Sequence, residues 1–175
     1  SFGVGRVNNE RVDHELFELN DLWRQAEVDH LKELAQAQLG TVGSGNHYVD
    51  LFTDEDGWVW IGIHFGSRGL GHKITTKYLA AAGASQVMDA PPTLLELDSD
   101  LGRGYFAGLK LGGLYAYAGR EWVANQVRRI VGGSVVKTVH NHHNWAWMEQ
   151  HHGRDMRVVR KGATPAWPGQ LGFVG

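Results

Sequence analysis

The sequence predicts an α+β fold: a single domain over residues 1–175, with mixed or antiparallel sheets and flanking helices. Two long stretches carry apolar residues at helical spacing, one near the N-terminus and one after residue 98. Between them, two short alternating stretches joined by a turn are typical of a β-hairpin. Strands and helices do not alternate regularly, so a parallel βαβ architecture is not expected. The composition, 42% hydrophobic and 21% charged, is that of an ordinary globular domain.

The first predicted element is a helix over residues 10–38. Its apolar residues recur three and four positions apart, and a break is expected near Asn20 and Asp21. Gly40 is the predicted stop, because glycine commonly follows the last residues of a helix. His14 and His30 lie among the polar residues of this segment and are expected to face water.

A hairpin follows, with strands in "HYVDLF" and "WVWIGIHF" and a turn in "TDEDG". A glycine-rich loop then leads into a predicted helix, "GHKITTKYLAAAG", which ends at Gly83. The stretch 85–99 is predicted as a loop because Pro91 and Pro92 disfavour a helix. Residues 98–131 are periodic again and predict a long helix, although glycine at 112 and 113 is unfavourable in a helix interior.

The C-terminal part predicts two more strands, "SVVKTVHN" over residues 134–141 and "MRVVRKGAT" over residues 156–164. Between them, His151 and His152 are placed after a helix, in a solvated loop. The last segment, "PAWPGQLGFVG", is predicted as loop and short strand. No internal repeat is present in the sequence.

Composition excludes several classes of protein. The sequence has no cysteine, which rules out disulfides, a thiolate nucleophile and a cysteine zinc site within it. No apolar run approaches the roughly 18 residues of a membrane span, and no signal peptide is visible, so no membrane association and a cytoplasmic setting are expected. The net charge of −2 does not indicate a nucleic-acid binder, although a local basic patch is compatible with it.

Three loops each join a histidine to small hydrogen-bonding residues: "GSGNH" (43–47), "HFGSRG" (64–69) and "HNHHN" (140–144). Glycine-serine loops can point several backbone N–H groups into one concavity, which suits phosphate oxygens. Ser67 and Arg68 lie in the second loop, and a guanidinium matches phosphate bidentately. One such loop alone is more often a plain turn. The three together favour a functional site.

His47, His64 and His143 could share a divalent metal if the fold brings them together. His47 begins the first predicted hairpin strand and His64 lies at the end of the second, so a hairpin would place both at one rim. Asn46 and Asn144 flank two of these histidines and could bind a nucleotide or orient a ligand. The alternative for each histidine is an ordinary surface or core residue.

A fourth feature is "VVRKGATPAWPGQLG", in which Arg160 and Lys161 end a predicted strand. A charged turn is one explanation for this pair. The other is a contact with phosphate or nucleotide, because loops at strand ends often carry function.

Four motifs in order resemble the RtcB family of RNA-splicing ligases: "QLGTVGSGNHYVD", "IHFGSRGLGH", "VHNHHNWAWMEQHHG" and "VVRKGATPAWPGQLG". The intervening "DSDLGRGYFAGLKLGGLYAYAGREWVANQV" is similar to the family's helical segment. The resemblance therefore covers nearly the whole sequence and implies an RtcB-like fold.

The resemblance implies an enzyme that joins an RNA 2′,3′-cyclic phosphate or 3′-phosphate to a 5′-hydroxyl, in tRNA splicing or RNA repair. Such an enzyme uses GTP and two Mn²⁺ ions, through a guanylylated histidine, and can have an archease-like activator. By resemblance, His47, His64 and His143 match metal ligands, and Asn46, His47 and, more weakly, Asn144 match nucleotide contacts. Ser67 and Arg68 match contacts to phosphate or RNA.

The sequence departs from the family pattern in ways that limit this expectation. The family's Asp and Cys ligands precede the region matched here, and its nucleophilic histidine follows it. Residues 1–175 are thus expected to be a partial catalytic domain, without a catalytic nucleophile of its own. Asp50 and Phe65 stand where the family usually has Glu and Ser. A metal-dependent phosphoesterase and a non-catalytic metal- or RNA-binding remnant are the alternatives.

Overall fold

The computed structural model describes Gly3, residues 5–84 and residues 93–173. These residues form two compact units, 1–132 and 133–175, which are described separately. The first combines helices with an antiparallel hairpin, and the second contains a second antiparallel hairpin. The α+β fold class with antiparallel sheets and flanking helices is confirmed. Part of the predicted loop, residues 85–92, lies outside the described residues.

The predicted N-terminal helix consists of four short helical segments. A 3₁₀ turn, Glu15–Glu18, precedes helix α1, Asn20–Gln25; a second 3₁₀ turn, Asp29–Leu31, precedes helix α2, Lys32–Gln38. The break expected near Asn20 and Asp21 is present at Leu19, and a further one follows where Glu27 has a positive φ of 52°. Long-range packing compensates for these breaks: Trp23 is fully buried and its indole N–H donates to the Leu16 carbonyl at 3.0 Å.

The predicted hairpin is confirmed as strands β1, Tyr48–Thr53, and β2, Val59–His64, which pair antiparallel with Tyr48 opposite His64. Asp54 fixes its turn, because Oδ1 accepts from the Trp58 N–H at 2.8 Å and Oδ2 from the Trp60 indole at 2.7 Å. Helix α3, Arg68–Ala81, and helix α4, Asp100–Val131, follow and match the predicted helices. Ser99 caps α4 through a hydrogen bond from the Gly102 N–H at 3.0 Å.

The main core lies where α1, α2 and α3 pack on α4. Close approach of α3 and α4 requires glycine: a Cβ at Gly104 would lie 2.5 Å from the Tyr78 hydroxyl, and one at Gly108 would lie 2.6 Å from Ile74 Cγ2. This packing explains why α4 tolerates glycines that are unfavourable in an isolated helix. Each fully buried aliphatic side chain here, such as Leu111, contributes about 1.5–3 kcal/mol of hydrophobic stabilisation.

The second unit corrects two predictions. Residues 134–141 were expected to form a strand and are irregular. Residues 144–151, expected to be loop and helix, form strand β3, Asn144–His151, which pairs antiparallel with β4, Arg154–Lys161. His151 is therefore the last residue of a strand and not part of a solvated loop after a helix. The predicted strand at 156–164 is confirmed, with an earlier start.

Among the described residues, no helix is both long and apolar enough to cross a membrane.

Candidate functional site

Two of the predicted metal-binding histidines lie side by side at the open end of the β1–β2 hairpin. Since His64 is paired with Tyr48 in the strand register, His47 is its neighbour across the ladder. The centroids of the His47 and His64 rings are 6.2 Å apart. Both side chains are half-buried. The hairpin therefore brings together two imidazoles that are distant in the sequence.

The orientation of His47 is set by the loop that precedes it. Its Nδ1 lies 2.8 Å from the Val42 carbonyl oxygen, and Val42 is itself buried. A carbonyl can only accept a hydrogen bond, so Nδ1 carries the proton. The lone pair is then on Nε2. Metal-bound histidines commonly have this arrangement, in which one ring nitrogen donates to a carbonyl and the other binds the ion.

His64 is held from two sides. Its ring is stacked on Tyr48, with a centroid distance of 5.6 Å and an interplanar angle of 18°. The Asn46 amide nitrogen lies 3.4 Å from His64 Nε2. Asn46 is exposed and is the residue between the Gly-Ser loop and His47. The predicted metal ligands His47 and His64 and the predicted nucleotide contact Asn46 therefore form one cluster.

Arg68 is hydrogen-bonded to residues near the same loop. Its Nε donates to the Thr41 hydroxyl at 3.0 Å and its Nη2 to the Gly3 carbonyl at 3.1 Å. Burial lowers the pKa of the guanidinium, with an opposing effect from nearby Tyr115. No described carboxylate forms an ion pair with it. Arg68 thus brings a positive charge next to the histidine cluster, with two of its donors used inside the protein.

The second glycine-serine loop leads directly into α3. Arg68 is the first residue of that helix and has a positive φ of 52°, a conformation that is uncommon for residues other than glycine. The Gly69 N–H donates to the Gln38 side-chain oxygen at 3.1 Å. Ser67 precedes the helix, and its side chain occupies space that a Cβ at Gly71 would need. The amide of Gly69 is therefore already bonded within the protein.

The remaining predicted residues, His143 and Asn144, lie in the second unit. The His143 carbonyl accepts from the Ala163 N–H at 3.0 Å, and the Asn144 side-chain oxygen accepts from the Gly162 N–H at 2.8 Å. Asn144 therefore fixes the open end of the β3–β4 hairpin. The neighbouring His142 stacks on Trp145, with a centroid distance of 4.6 Å.

A charged cluster around the buried Glu149 side chain in the second unit was not predicted. The Glu149 side chain is 6% exposed, and its oxygens accept from Arg160 Nε and Nη2 at 3.0 and 2.7 Å. His151 Nε2 lies 2.7 Å from the same carboxylate. Hydrogen bonds from Arg160, and then from His151, hold the Glu149 pKa below its ordinary value, and Glu149 raises the pKa of Arg160. Arg160, a predicted phosphate contact, is thus neutralised by Glu149, whereas Lys161 is exposed.

A cavity of about 200 Å³ adjoins this cluster. It is lined mainly by apolar groups and by the Glu149–Arg160 pair: Trp147, Glu149, Arg160, Thr164, Pro165 and Trp167.

The first unit supplies two ligands suited to a cation. Two imidazoles, one with a fixed tautomer, fit Mn²⁺ or another first-row metal as part of a set. Within the described ranges, no group of three or more His, Asp or Glu side chains is placed to hold a metal ion. The residues of this cluster therefore fit a half-site that other ligands would complete.

Comparison with known proteins identifies the family of this chain. A family model described as tRNA-splicing ligase RtcB matches residues 4–174. The chain belongs to the RtcB family.

Curated relatives agree with this assignment. The chain is 31% identical over 154 residues to the RNA-splicing ligase RtcB of Escherichia coli K12, covering 78% of this chain and 38% of that protein. It is 32% identical to the tRNA-splicing ligase RtcB of Archaeoglobus fulgidus and 33% identical to that of Thermococcus kodakarensis, in each case over 78% of this chain and 35% of the relative. The chain thus spans little more than a third of the length of these RtcB proteins. No solved structure matches it.

Several residues that shape this histidine cluster were missed from the sequence. Val42 and Gly3 act through backbone carbonyls, so their side-chain types carry no signal. Arg120, which donates to the Phe65 carbonyl at 2.8 Å, is distant in sequence from the residue it holds. Thr41 follows the predicted helix stop at Gly40, where a hydroxyl next to a glycine is an ordinary turn signal.

Proposed function

We propose that the protein is an RNA ligase of the RtcB type, which joins RNA 2′,3′-cyclic phosphate or 3′-phosphate ends to 5′-hydroxyl ends with GTP and manganese. Membership of the family supports this activity. The observation that carries the proposal is the pairing of His47 and His64, with ring centroids 6.2 Å apart and the His47 lone pair set on Nε2 by the Val42 carbonyl.

In this proposal His47 and His64 hold manganese together with ligands from outside the cluster, and His143 stays a predicted metal ligand. A bound divalent ion supplies Lewis-acid stabilisation of phosphate oxygens. The Asn46 amide nitrogen lies 3.4 Å from His64 Nε2, and in this proposal Asn46 donates to a phosphate or nucleotide oxygen near the ion. Arg68 adds positive charge, which favours an anionic substrate. Asn144 and Ser67 remain predicted contacts, with Asn144 Oδ1 already bonded to Gly162.

Covalent labelling tests the ligase proposal. The protein, expressed from its complete gene, is incubated with radiolabelled GTP and Mn²⁺, and acid-labile protein-bound GMP is measured. We expect labelling that depends on Mn²⁺ and on GTP. Hydrolysis of a model phosphodiester with no GTP requirement, and no protein-bound label, would instead identify a metal-dependent phosphoesterase. Weak, salt-sensitive RNA binding without turnover would indicate a binding protein.

A pair of histidine variants tests the metal site. His64→Ala removes a proposed ligand, and we expect Mn²⁺ affinity to fall by at least about tenfold in calorimetry, as is usual when a metal site loses supporting groups. His30→Ala is the matched control, because His30 is exposed in a 3₁₀ turn of the same unit. Equal effects of the two substitutions would reject the assignment of His64.

A further inference from the structure

We infer that Arg120 of helix α4 is a positioning residue for His64, and that it acts through the Phe65 backbone carbonyl. The inference rests on the proposed function in one respect, since it takes His64 as a metal ligand. The geometry on which it depends concerns only the loop after β2 and the middle of α4.

Arg120 is hydrogen-bonded to the residue that follows His64. Arg120 Nη1 donates to the Phe65 carbonyl oxygen at 2.8 Å, and the guanidinium lies over the Tyr117 ring at 5.0 Å. Phe65 directly follows His64, so this hydrogen bond fixes the Phe65–Gly66 peptide plane, one residue beyond the histidine. Arg120 is half-buried, and burial lowers its pKa. A guanidinium nevertheless stays charged at any ordinary pH, which makes this a charge-assisted hydrogen bond.

Phe65 is packed against α4 and cannot easily move away from it. Its side chain is only 4% exposed and belongs to a small core cluster with Val42 and Val123. A Cβ at Gly119 would lie 3.1 Å from Phe65 Cε2, so the ring rests directly on the helix backbone. Arg120 therefore adds a directional polar contact to a ring that is already packed beside it.

The loop that carries His47 packs against the same turn of α4. Val42, whose carbonyl fixes His47, is in the same cluster as Phe65. Gly40 lies against Trp122, because a Cβ there would collide with the indole ring. The turn from Gly119 to Val123 thus supports the loops that carry both imidazoles. Within that turn, Arg120 donates the hydrogen bond to the backbone that follows His64.

Two variants of Arg120 and two control variants test the inference on the complete protein. Arg120→Met removes the donor and keeps an unbranched side chain; Arg120→Lys keeps the charge without the guanidinium. Arg129→Met is the matched control, an exposed arginine of the same helix. Ile74→Val weakens the other core cluster and serves as a stability control, since Ile74 packs between α3 and α4 away from the loops.

The first measurement is made without metal. Long-range ¹H–¹⁵N spectra report the tautomer and environment of each imidazole. We expect Arg120→Met to shift the His64 ring signals and the Gly66 amide while the His30 ring signals stay unchanged, and Arg120→Lys to restore part of the shift. Unchanged His64 signals in Arg120→Met, or the same shifts in Ile74→Val, would overturn the inference.

The second measurement is Mn²⁺ affinity. Loss of a group that orients a ligand typically weakens metal binding by about 10- to 100-fold, so we expect a weakening of at least about tenfold for Arg120→Met. Arg129→Met and Ile74→Val are expected to bind like wild type. Wild-type affinity of Arg120→Met contradicts the inference. If the wild-type protein itself binds no Mn²⁺, the proposed metal site fails, and the metal-free spectra still decide whether Arg120 positions His64.

Discussion

Gly43 is the residue at which the first histidine loop is most tightly packed. It has a positive φ of 96°, and a Cβ there would collide with the Arg68 guanidinium and lie 2.8 Å from His47 Nδ1. We predict that Gly43→Ala displaces Arg68 or His47 and weakens Mn²⁺ binding. The free energy of unfolding should fall by more than the roughly 1–2 kcal/mol that a left-handed conformation alone costs.

Gly45→Ala is the control for this prediction. Gly45 has a similar φ of 82°, but no described residue lies within 4 Å of a Cβ at that position. It therefore reports the backbone cost without the collision. Denaturant unfolding and Mn²⁺ calorimetry of both variants separate the two effects. If Gly45→Ala reduces affinity as much as Gly43→Ala, the packing of Gly43 against Arg68 and His47 has no role in metal binding.

For individual residues, the sequence predicted candidate functional residues where the role depends on side-chain type. The histidine and asparagine of "GNH" and the histidine of "HFGSRG" were selected from their motifs, and the hairpin explains how they meet. The partners of these residues were not predictable, because the Val42 and Phe65 carbonyls are backbone groups. The role of Arg68 as a phosphate contact stays a prediction, with two of its donors bonded to Thr41 and Gly3.

Among the secondary-structure elements, the β3–β4 hairpin shows where periodicity was insufficient. One face of β3 carries Trp145, Trp147, Glu149 and His151. Because two of these four residues are polar, the sequence lacks the alternation of apolar and polar residues by which a strand is recognised. Those polar residues satisfy each other inside the hairpin through Arg160. Conversely, residues 134–141 are rich in β-branched side chains but pair with no described strand, and Val135 and Val136 are exposed. Strand propensity is realised only where a partner strand is present.

The Glu149 cluster predicts a pH dependence for this hairpin. Arg160, and then His151, hold the Glu149 pKa below its ordinary value of 4.5. A depressed carboxyl pKa contributes stability that is fully present above the unfolded-state value and is lost as pH falls through the folded-state value. We therefore expect the β3–β4 hairpin to become less stable as the pH falls below about 4.5. Glu149→Gln should destabilise the hairpin already at neutral pH, because Arg160 then loses its anionic partner.

Tryptophan fluorescence measures this change, since Trp145 and Trp147 lie on the same strand as Glu149. Asp155→Asn is the control: it removes a carboxylate near the turn of the same hairpin, where Gln150 is its partner. We expect Asp155→Asn to keep the acid transition of the wild-type protein. An unchanged acid transition in Glu149→Gln would show that the ion pair does not set the acid stability of the hairpin.

For the whole molecule, the predicted α+β class followed from two reliable signals, the long periodic helix α4 and the first hairpin. The division into two compact units was not predicted, because no extended glycine-, proline- or serine-rich linker separates them. The boundary falls at Gly132 and Gly133, immediately after α4 ends at Val131. Both have positive φ values, 85° and 89°, which only glycine adopts readily. A glycine pair that ends a helix is too common a signal to mark a domain boundary by itself.

Both buried hydrophobic clusters of the described residues lie within 1–132, which predicts that this unit folds without the second. A chain of residues 1–132 should keep the helical far-UV circular dichroism of α3 and α4 and unfold cooperatively. A peptide of residues 133–175 should be largely unfolded, because a two-stranded hairpin is marginally stable in water. Leu111→Ala is the internal control: as a fully buried core leucine, it should destabilise the 1–132 and 1–175 chains equally, by about 2–5 kcal/mol. A non-cooperative transition in 1–132, or a larger effect of Leu111→Ala in one chain, would mean that the second unit contributes to the stability of the first.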